Sequence, residues 1–350
     1  MIKALLFLTR PGFEPDLTIE LNAWLGERDV AVAPADAGPG ALMIRGTPGQ
    51  MQAIWQRWRD WRTESVFTRE FLGVLTELTA LERGARIEAL LAAWATYETP
   101  ISDVFVYAPD ADSTRLLLPM TKSLENSLKA KLKITPEAYD TTLHIVFLSS
   151  DHCLVCIGHQ HKSAPAPGGI PRLKFPPAAP SRSTLKLDEA FLCLLSHAER
   201  ARWVERGMTA VDLGASPGGW SYQLVRRGIS VIAIDNGAMS DTLMRSGMVQ
   251  HFREDGFRYK PKRPVDWLVC DMVEQPQKVA ALAVQWLLEK RCKFAIVNLK
   301  LPMKKRFAEL QKCRAIAAAQ LESSLVWRCK QLYHDREEVT LLLTRSEYLR

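Results

Sequence analysis

Val211-Asp212-Leu213-Gly214-Ala215-Ser216-Pro217-Gly218-Gly219-Trp220 is the stretch that decides the fold of the C-terminal half of this chain. Its apolar start predicts the end of a buried strand, and its glycines predict a tight turn that opens into a helix. Gly214, Gly218 and Gly219 let the backbone approach a ligand where a Cβ would block it. Pro217 suits the first turn of that helix. Because a helix N-terminus presents unpaired N–H groups, the stretch predicts a site for a carboxylate or a phosphate.

Several interpretations compete for this glycine-rich turn. It lacks G-x-G-x-x-G, so it matches the dinucleotide-binding fingerprint poorly, and it lacks G-x-x-x-x-G-K-[ST], which excludes a triphosphate-binding loop. What remains is the first loop of an S-adenosylmethionine (AdoMet) methyltransferase, with the methionine carboxylate of the cofactor at the helix start. An ordinary glycine turn that binds nothing stays open as the alternative.

Composition limits the class of protein. The 350 residues suggest two or three domains, and 47% hydrophobic with 24% charged residues is typical of a folded globular protein. The net charge of +7 favours a polyanionic partner, although excess Lys and Arg also aid solubility. The seven scattered cysteines form no disulfide framework, which predicts a reducing compartment, the cytoplasm. No apolar run reaches about 18 residues, so no membrane span is expected.

A proline-rich segment, residues 162–182, divides the chain, and it predicts a stiff linker because it supports neither a helix nor a central strand. Before it, residues 1–60 and 61–161 mix strand and helix signals and predict two α+β units. After it, residues 183–350 alternate strands and helices, which predicts an α/β domain on a doubly wound, mostly parallel sheet. Ligands of such sheets bind at the carboxyl ends of the strands.

Two features of the front half have competing interpretations. Trp55, Trp58 and Trp61 recur at helical spacing and form either a core stripe, which we favour, or a base-stacking surface. Cys153 and Cys156 resemble half of a zinc site, but a three-residue step within a strand points them to opposite faces. We therefore predict no metal.

Charged residues follow the predicted strands of the C-terminal half. Asp235 can accept hydrogen bonds from ribose hydroxyls, or it can cap a helix, and Asp255 can accept from an adenine amino group. Lys300 ends the apolar strand 295–299, where its charge needs a polar cleft. A lysine that is crowded by a second cation and shielded from water can lose its proton near neutral pH. Together with Lys186, Asp271 and Glu338, Lys300 predicts either a catalytic cluster or a structural ion-pair network.

The chain resembles the FtsJ-type ribose 2′-O-methyltransferases. The segments that carry the resemblance are SRSTLKLDE (181–189), DLGASPGGW (212–220), VCDM (269–272), NLK (298–300) and DREEV (335–339). Their order matches the Lys-Asp-Lys-Glu tetrad of that family. Within it, GIPRLKFP (169–176), NLKLPMKKR (298–306) and QLYHDR (331–336) resemble the bacterial RlmM group, which methylates cytidine 2′-hydroxyls in large-subunit rRNA.

The resemblance implies a role for each matching position. The tetrad would be Lys186, Asp271, Lys300 and Glu338, with Lys300 as the base and Glu337 as the rival for the final acid. The residues that would contact AdoMet are Ser183, Ser216, Pro217, Gly218, Gly219, Asp235, Asp255 and Asp271. Residues 1–60 would form a ferredoxin-like subdomain and residues 61–161 a THUMP RNA-binding domain. Lys304, Lys305 and Arg306 would contact rRNA phosphates, unless they are only a solvated helix start.

The expected activity is therefore methyl transfer from AdoMet to the 2′-hydroxyl of a cytidine in 23S rRNA. The expected partner is 23S rRNA or a precursor of the large subunit, and the protein is expected to be a monomer with no metal and no membrane association. The alternatives are a 2′-O-methyltransferase that acts on tRNA or another RNA, a non-catalytic RNA-binding or assembly factor, and a small-molecule methyltransferase.

Overall fold

The computed structural model describes residues 1–97, 99–136, 139–159, 162–164, 166–321 and 324–349. The chain divides into two compact units, Met1–Pro171 and Arg172–Arg350, so the border between them falls inside the predicted 162–182 linker. In the part of the chain that is described, no helix has the length and apolar character to cross a membrane.

A mixed sheet of seven strands forms the first unit. Its strands are β1 (Ala4–Leu8), β2 (Pro34–Asp36), β3 (Ala41–Arg45), β4 (Glu70–Leu78), β5 (Asp103–Tyr107), β6 (Thr141–Phe147) and β7 (Cys153–His159). Their order in the sheet is β2-β3-β1-β4-β7-β6-β5, and only β5 and β6 pair in parallel. The helices are α1 (Glu14–Gly26), α2 (Pro48–Arg57), α3 (Trp61–Glu64), α4 (Arg86–Ala95) and α5 (Leu118–Lys131).

The predicted border at 60/61 does not separate two sheets. Strand β1 pairs antiparallel with β4, and Leu6 lies opposite Leu72 in that register. Both leucines are fully buried in one core cluster with Val146 from β6, so the apolar faces on the two sides of the predicted border share a core. A border drawn from local composition fails here because strands that are distant in sequence complete the same sheet.

The tryptophan stripe belongs to this core. Trp55, Trp58 and Trp61 are each at most 4% exposed. The ring of Trp58 lies 4.5 Å from that of Phe71 on β4 and 5.5 Å from that of Phe7 on β1. The core interpretation of the stripe is therefore confirmed, and these rings offer no face for base stacking.

The second unit has its own mixed sheet of seven strands. Its strands are β8 (Thr209–Leu213), β9 (Ser230–Ile234), β10 (Val249–Phe252), β11 (Val265–Cys270), β12 (Cys292–Lys300), β13 (Leu325–Lys330) and β14 (Glu338–Arg345). The helices are α6 (Thr184–Leu194), α7 (His197–Trp203), α8 (Gly219–Arg226), α9 (Asp241–Met244), α10 (Pro276–Leu288) and α11 (Arg306–Leu321). The predicted α/β alternation is confirmed.

The strand order of this sheet is β10-β9-β8-β11-β12-β14-β13. Strands β10, β9, β8, β11 and β12 all run parallel, while β14 is antiparallel to both β12 and β13. From β8 the chain builds outward to β9 and β10, then returns to place β11 on the other side of β8. Such a reversal leaves a crevice beyond the carboxyl ends of the two central strands, here Leu213 and Cys270.

Candidate active site

Four charged side chains meet at the carboxyl edge of the second sheet. We call Lys186, Asp271, Lys300 and Glu338 the KDKE cluster. Lys186 lies in the first turn of α6, Asp271 follows β11, Lys300 ends β12 and Glu338 begins β14. The antiparallel register places Lys300 directly opposite Glu338, and the parallel register of β11 with β12 brings Asp271 beside them. Residues up to 152 positions apart in sequence thereby reach one cleft.

The cluster alternates cations and anions at ion-pair distance, and two of these pairs are hydrogen-bonded. Lys300 Nζ donates to Asp271 Oδ1 at 2.5 Å and lies 3.9 Å from Glu338 Oε1. Lys186 Nζ donates to Glu338 Oε1 and lies 3.5 Å from Asp271 Oδ2. The four side chains are 10–23% exposed, so they are shielded from water but remain accessible from the crevice. The two lysines and two carboxylates balance each other's charge.

Lys186 stabilises the two carboxylates. Burial lowers the pKa of Lys186, but the negative charges of Asp271 and Glu338 outweigh burial and raise that pKa above its usual value. Lys186 therefore remains an ammonium ion at neutral pH, and it can fix both carboxylates around Lys300 without itself accepting a proton.

The geometry separates Glu338 from Glu337. Because neighbouring residues of a strand point to opposite faces, only one of them can face Lys300. Glu337 is half-exposed and pairs with Arg306, whose Nη2 lies 2.5 Å from Glu337 Oε2. The acid of the cluster is therefore Glu338. The Arg306 side chain is only 12% exposed, so its predicted role as a free phosphate contact does not fit, whereas Lys304 and Lys305 are exposed.

The glycine-rich turn lies beside the cluster, and its proline lies outside the helix that follows. Helix α8 starts at Gly219, and its N-cap is Gly218 with a φ of 111°, a conformation that favours glycine. Pro217 thus lies before the helix rather than in its first turn, and the peptide bond that precedes it is cis. The expectation for Pro217 was wrong because the left-handed N-cap comes between the proline and the helix.

Protein packing also requires these glycines. A Cβ at Gly214 would lie 2.6 Å from Met272 Cγ, which shows how closely the ends of β8 and β11 approach. A Cβ at Gly219 would collide with the hydroxyls of Ser181 and Ser183. Ser183, the N-cap of α6, therefore lies against the start of α8.

Asp235 and Asp255, two of the predicted cofactor residues, both lie at the carboxyl edge of the second sheet, but they make different contacts. Asp235 follows β9, and its Oδ2 accepts from Ser216 N at 3.0 Å while its Oδ1 accepts from Gly237 N at 2.6 Å. This carboxylate thus holds the glycine-rich turn, and it is not a helix cap. Asp255 follows β10, is about half exposed, and accepts from Phe257 N at 2.9 Å.

The sequence analysis gave Asp212 no role, although it lies inside the glycine-rich stretch 211–220. Its side chain is 1% exposed, and its Oδ2 accepts from Ser221 Oγ at 2.7 Å. Its Oδ1 is buried and has no hydrogen-bond partner among the described residues. Burial raises the pKa of Asp212 to about 7. A buried carboxyl oxygen without a donor is costly, which marks a place where a ligand can supply one.

Asn298 and Thr340 are further polar residues that the sequence analysis missed. Both are fully buried, they face each other across β12 and β14, and Thr340 Oγ1 lies 2.7 Å from Asn298 Oδ1. Asn298 Nδ2 donates to Asp271 Oδ1 at 2.9 Å. A signal was present, because Asn298 is a polar residue within an apolar strand two positions before Lys300, and residues two apart share a face.

Cys153 and Cys156 are buried free thiols on β7. Across the described ranges there is no group of three or more His, Cys, Asp or Glu side chains arranged to hold a metal ion.

Comparison with known proteins yields matches over the second unit and over the whole chain. Residues 179–337 match the FtsJ-like methyltransferase family model. The ribosomal RNA large subunit methyltransferase M of Xanthomonas campestris pv. campestris (strain B100) is 43% identical over 352 residues, which cover 99% of this chain and 100% of that protein. The protein of the same name from Xanthomonas oryzae pv. oryzae (strain PXO99A) is 42% identical, with the same coverage. A solved structure, TrmN from Thermus thermophilus, aligns with 98% of this chain and 99% of its own at 14% identity and a TM-score of 0.35.

Proposed function

This chain belongs to the ribosomal RNA large subunit methyltransferase M family, and we propose that it methylates the ribose 2′-hydroxyl of a cytidine in 23S rRNA with Lys300 as general base. It is an rRNA methyltransferase with AdoMet as methyl donor. We propose the ribose 2′-oxygen as the methyl acceptor, a cytidine as the target nucleotide, and a role for each residue of the site. The observation that carries it is the contact of Lys300 with Asp271, 2.5 Å apart at the edge where the glycine-rich turn begins.

The residues of the turn fit AdoMet. Asp212 Oδ1 is a buried acceptor in need of a donor, which matches the α-ammonium of the cofactor. The free N–H groups at the start of α8 match its carboxylate. Asp235, which already orders the turn, keeps lone pairs for ribose hydroxyls, and Ser183, Ser216, Pro217, Gly218, Gly219, Asp255 and Asp271 complete the proposed site. When bound, AdoMet supplies a methyl group on a positively charged sulfur, which is a good leaving group.

The protein's own task is to orient the hydroxyl and to remove its proton. Lys300, as the free amine, would accept the proton of the 2′-hydroxyl as that oxygen takes up the methyl group. Asp271 and Glu338 then stabilise the ammonium that results. Lys186, which stays charged, keeps both carboxylates in place during the transfer.

The rRNA has to reach this cleft as an accessible nucleotide. Exposed Lys304 and Lys305 lie four and five positions after Lys300 and are the proposed contacts for phosphates. We propose that residues 61–161 supply a THUMP-type RNA-binding surface, and that the enzyme is a cytoplasmic monomer. A ribose flanked by base pairs is poorly accessible, so the target is expected in a locally single-stranded region.

The test is Lys300→Ala, measured by tritiated-methyl incorporation into rRNA from cells that lack the gene. Turnover should fall by about 10²- to 10⁴-fold, while AdoMet binding by isothermal titration stays close to that of the unmodified protein. Lys293→Ala is the matched control, because the exposed Lys293 lies at the opposite end of β12 and pairs with Asp266. Near-normal turnover of Lys300→Ala contradicts the base assignment, and mapping of ribose methylation in the rRNA identifies the nucleotide.

A further inference from the structure

Two strongly exposed apolar side chains lie next to the KDKE cluster. Val273, in the loop 271–275 that follows β11, is 90% exposed, and Met303, in the loop 301–305 that follows β12, is 78% exposed. Among the described residues of the second unit, the other exposed large apolar side chains are only 38–45% exposed. Single exposed apolar residues are ordinary. Here, however, the two most exposed ones of this unit both lie in loops that begin at the cluster, which marks them as a contact surface.

The two loops are tied to each other at both ends. At their start, Lys300 Nζ donates to Asp271 Oδ1 at 2.5 Å. At their end, Gln277 Nε2 in the first turn of α10 donates to Glu309 Oε1 in the first turn of α11 at 2.9 Å. The two apolar side chains lie in the middle of these adjoining loops and therefore belong to one rim of the crevice.

The loop after β12 is also fastened to Glu337. Its first residue, Leu301, donates its backbone N–H to Glu337 O at 3.1 Å, and Arg306, which follows its last residue, places Nη2 2.5 Å from Glu337 Oε2. Residues 302–305 lie between these two anchors, and all four are exposed. Met303 is thus held outward by a loop with fixed ends.

The loop after β11 is anchored by Met272, which faces inward. A Cβ at Gly214 would lie 2.6 Å from Met272 Cγ, and one at Gly256 would lie 3.0 Å from Met272 Sδ. Met272 therefore fills the space between the ends of neighbouring strands. The next residue, Val273, is turned to the outside by this packing.

The chemistry of the expected substrate indicates what meets this rim. A 2′-hydroxyl reaches Lys300 only if its ribose enters the crevice, and the base is bonded to the ribose carbon next to the one that carries this hydroxyl. The base must therefore lie close to the cluster, and the flat face of a base packs well on apolar side chains and on the sulfur of methionine. Exposed Lys304 and Lys305 come next in the chain and suit the phosphates of the same strand. Glu274, the acid beside the rim, is paired with Lys278 at 3.5 Å, which weakens its repulsion of RNA.

We propose that Val273 and Met303 form an apolar rim that holds the base of the target nucleotide and so directs its ribose toward Lys300. The rim contacts the face of the base and not its hydrogen-bonding edge. It therefore contributes affinity and orientation, while other contacts select the cytidine. This inference rests on the proposed function, because it takes a ribose 2′-hydroxyl as the methyl acceptor.

The test compares a double variant with the wild type on two RNA substrates. Val273→Thr and Met303→Gln nearly keep the size of each side chain but make it polar, and substitutions at such exposed positions change stability little. One substrate is an rRNA fragment that contains the mapped target nucleotide. The other is the same fragment with the base of that nucleotide removed and its ribose kept. The dissociation constant of each RNA complex is measured by fluorescence anisotropy, and kcat/KM by tritiated-methyl transfer.

On the intact fragment, the double variant should bind RNA ~10-fold more weakly and lose ~10-fold in kcat/KM, because the base loses its apolar contact. On the fragment that lacks the base, the dissociation constants of variant and wild type should agree within about 2-fold, since the contact is already absent. AdoMet binding by titration calorimetry should be unchanged. Leu288→Gln is the matched control, because Leu288 is 40% exposed but ends α10, at the amino edge of the sheet, and it should change none of these values.

An equal loss on both fragments would overturn the proposal, because the rim would then contact something other than the target base. The absence of any loss on the intact fragment would overturn it as well. In both cases the wild type still methylates the rRNA, so the proposed function stands. A wild-type protein that transfers no methyl to rRNA contradicts the proposed function, and this inference falls with it.

Discussion

Lys300 and Glu338 lie directly opposite each other in the register of β12 and β14, and Lys300 Nζ is 3.9 Å from Glu338 Oε1. The two residues are brought together by the backbone ladder and not by flexible loops. Catalytic geometry set by a strand register is well defined, because a slip of one residue would turn both side chains to the other face of the sheet. The proposed reaction therefore depends on this pairing.

Replacement of Glu338 should impair catalysis, whereas replacement of its neighbour should not. Glu338→Gln removes the charge that stabilises both Lys186 and Lys300, and the initial rate of methyl transfer should fall by ~10- to 100-fold. Glu337→Gln is the control, since it weakens the pair between Arg306 and the half-exposed Glu337 and leaves the KDKE cluster intact. Equal rates for the two variants would show that the choice of Glu338 is wrong.

Asp235 should govern cofactor affinity. Asp235→Ala removes the acceptor for Ser216 N and Gly237 N and the proposed acceptor for ribose hydroxyls, so titration calorimetry should show AdoMet binding weakened by ~10-fold or more. Asp266→Ala is a close control, because Asp266 also accepts from a backbone N–H, that of Thr209, but at the amino end of the sheet. Unchanged affinity in Asp235→Ala would remove this residue from the site.

Asp212 should make stability depend on pH. Its folded pKa of about 7 lies above the ordinary 3.8, so the folded state binds the proton more tightly than the unfolded state. The free energy of unfolding therefore decreases as pH rises from about 4 to about 7 and loses nothing more from this group above that range. By linkage the whole loss is roughly 4 kcal/mol.

Asp212→Asn stays neutral at every pH and can still accept from Ser221. Its stability relative to the wild type should increase between pH 4 and 7 and then level off, as measured by denaturant unfolding across that range without AdoMet. A stability difference that does not change with pH would show that Asp212 titrates normally.

Lys304 and Lys305 should contribute to rRNA affinity through phosphates. Each phosphate contact adds roughly 0.7 to 0.9 to the slope of log K against log salt, so Lys304→Ala with Lys305→Ala should reduce that slope by about 1.4 to 1.8. Exposed Lys262 precedes β11 at the amino end of the sheet, and Lys262→Ala serves as the control. A slope equal to that of the wild type would leave these lysines as a solvated helix start.

Much of the C-terminal half could be predicted from local signals. Apolar runs that end in Gly214, Asp235, Asp271 and Lys300 predicted strands, and the rule that parallel strands present their carboxyl ends together predicted that these residues share an edge. The domain organisation of the front half was harder to predict from local signals. The border at 60/61 failed because the pairing of β1 with β4 depends on residues about 65 positions apart, which leave no local signature.

The sequence by itself determined the alternation of strands and helices, the glycine-rich turn and the types of charged residue at the strand ends, because these follow from hydrophobic periodicity and backbone preferences that act over a few residues. Only the tertiary structure decided that Glu338 and not Glu337 faces Lys300, that Arg306 is paired, and that the loops of Val273 and Met303 adjoin. Those outcomes depend on strand register and burial, since the cost of burying an unpaired polar group is settled by neighbours that are distant in sequence.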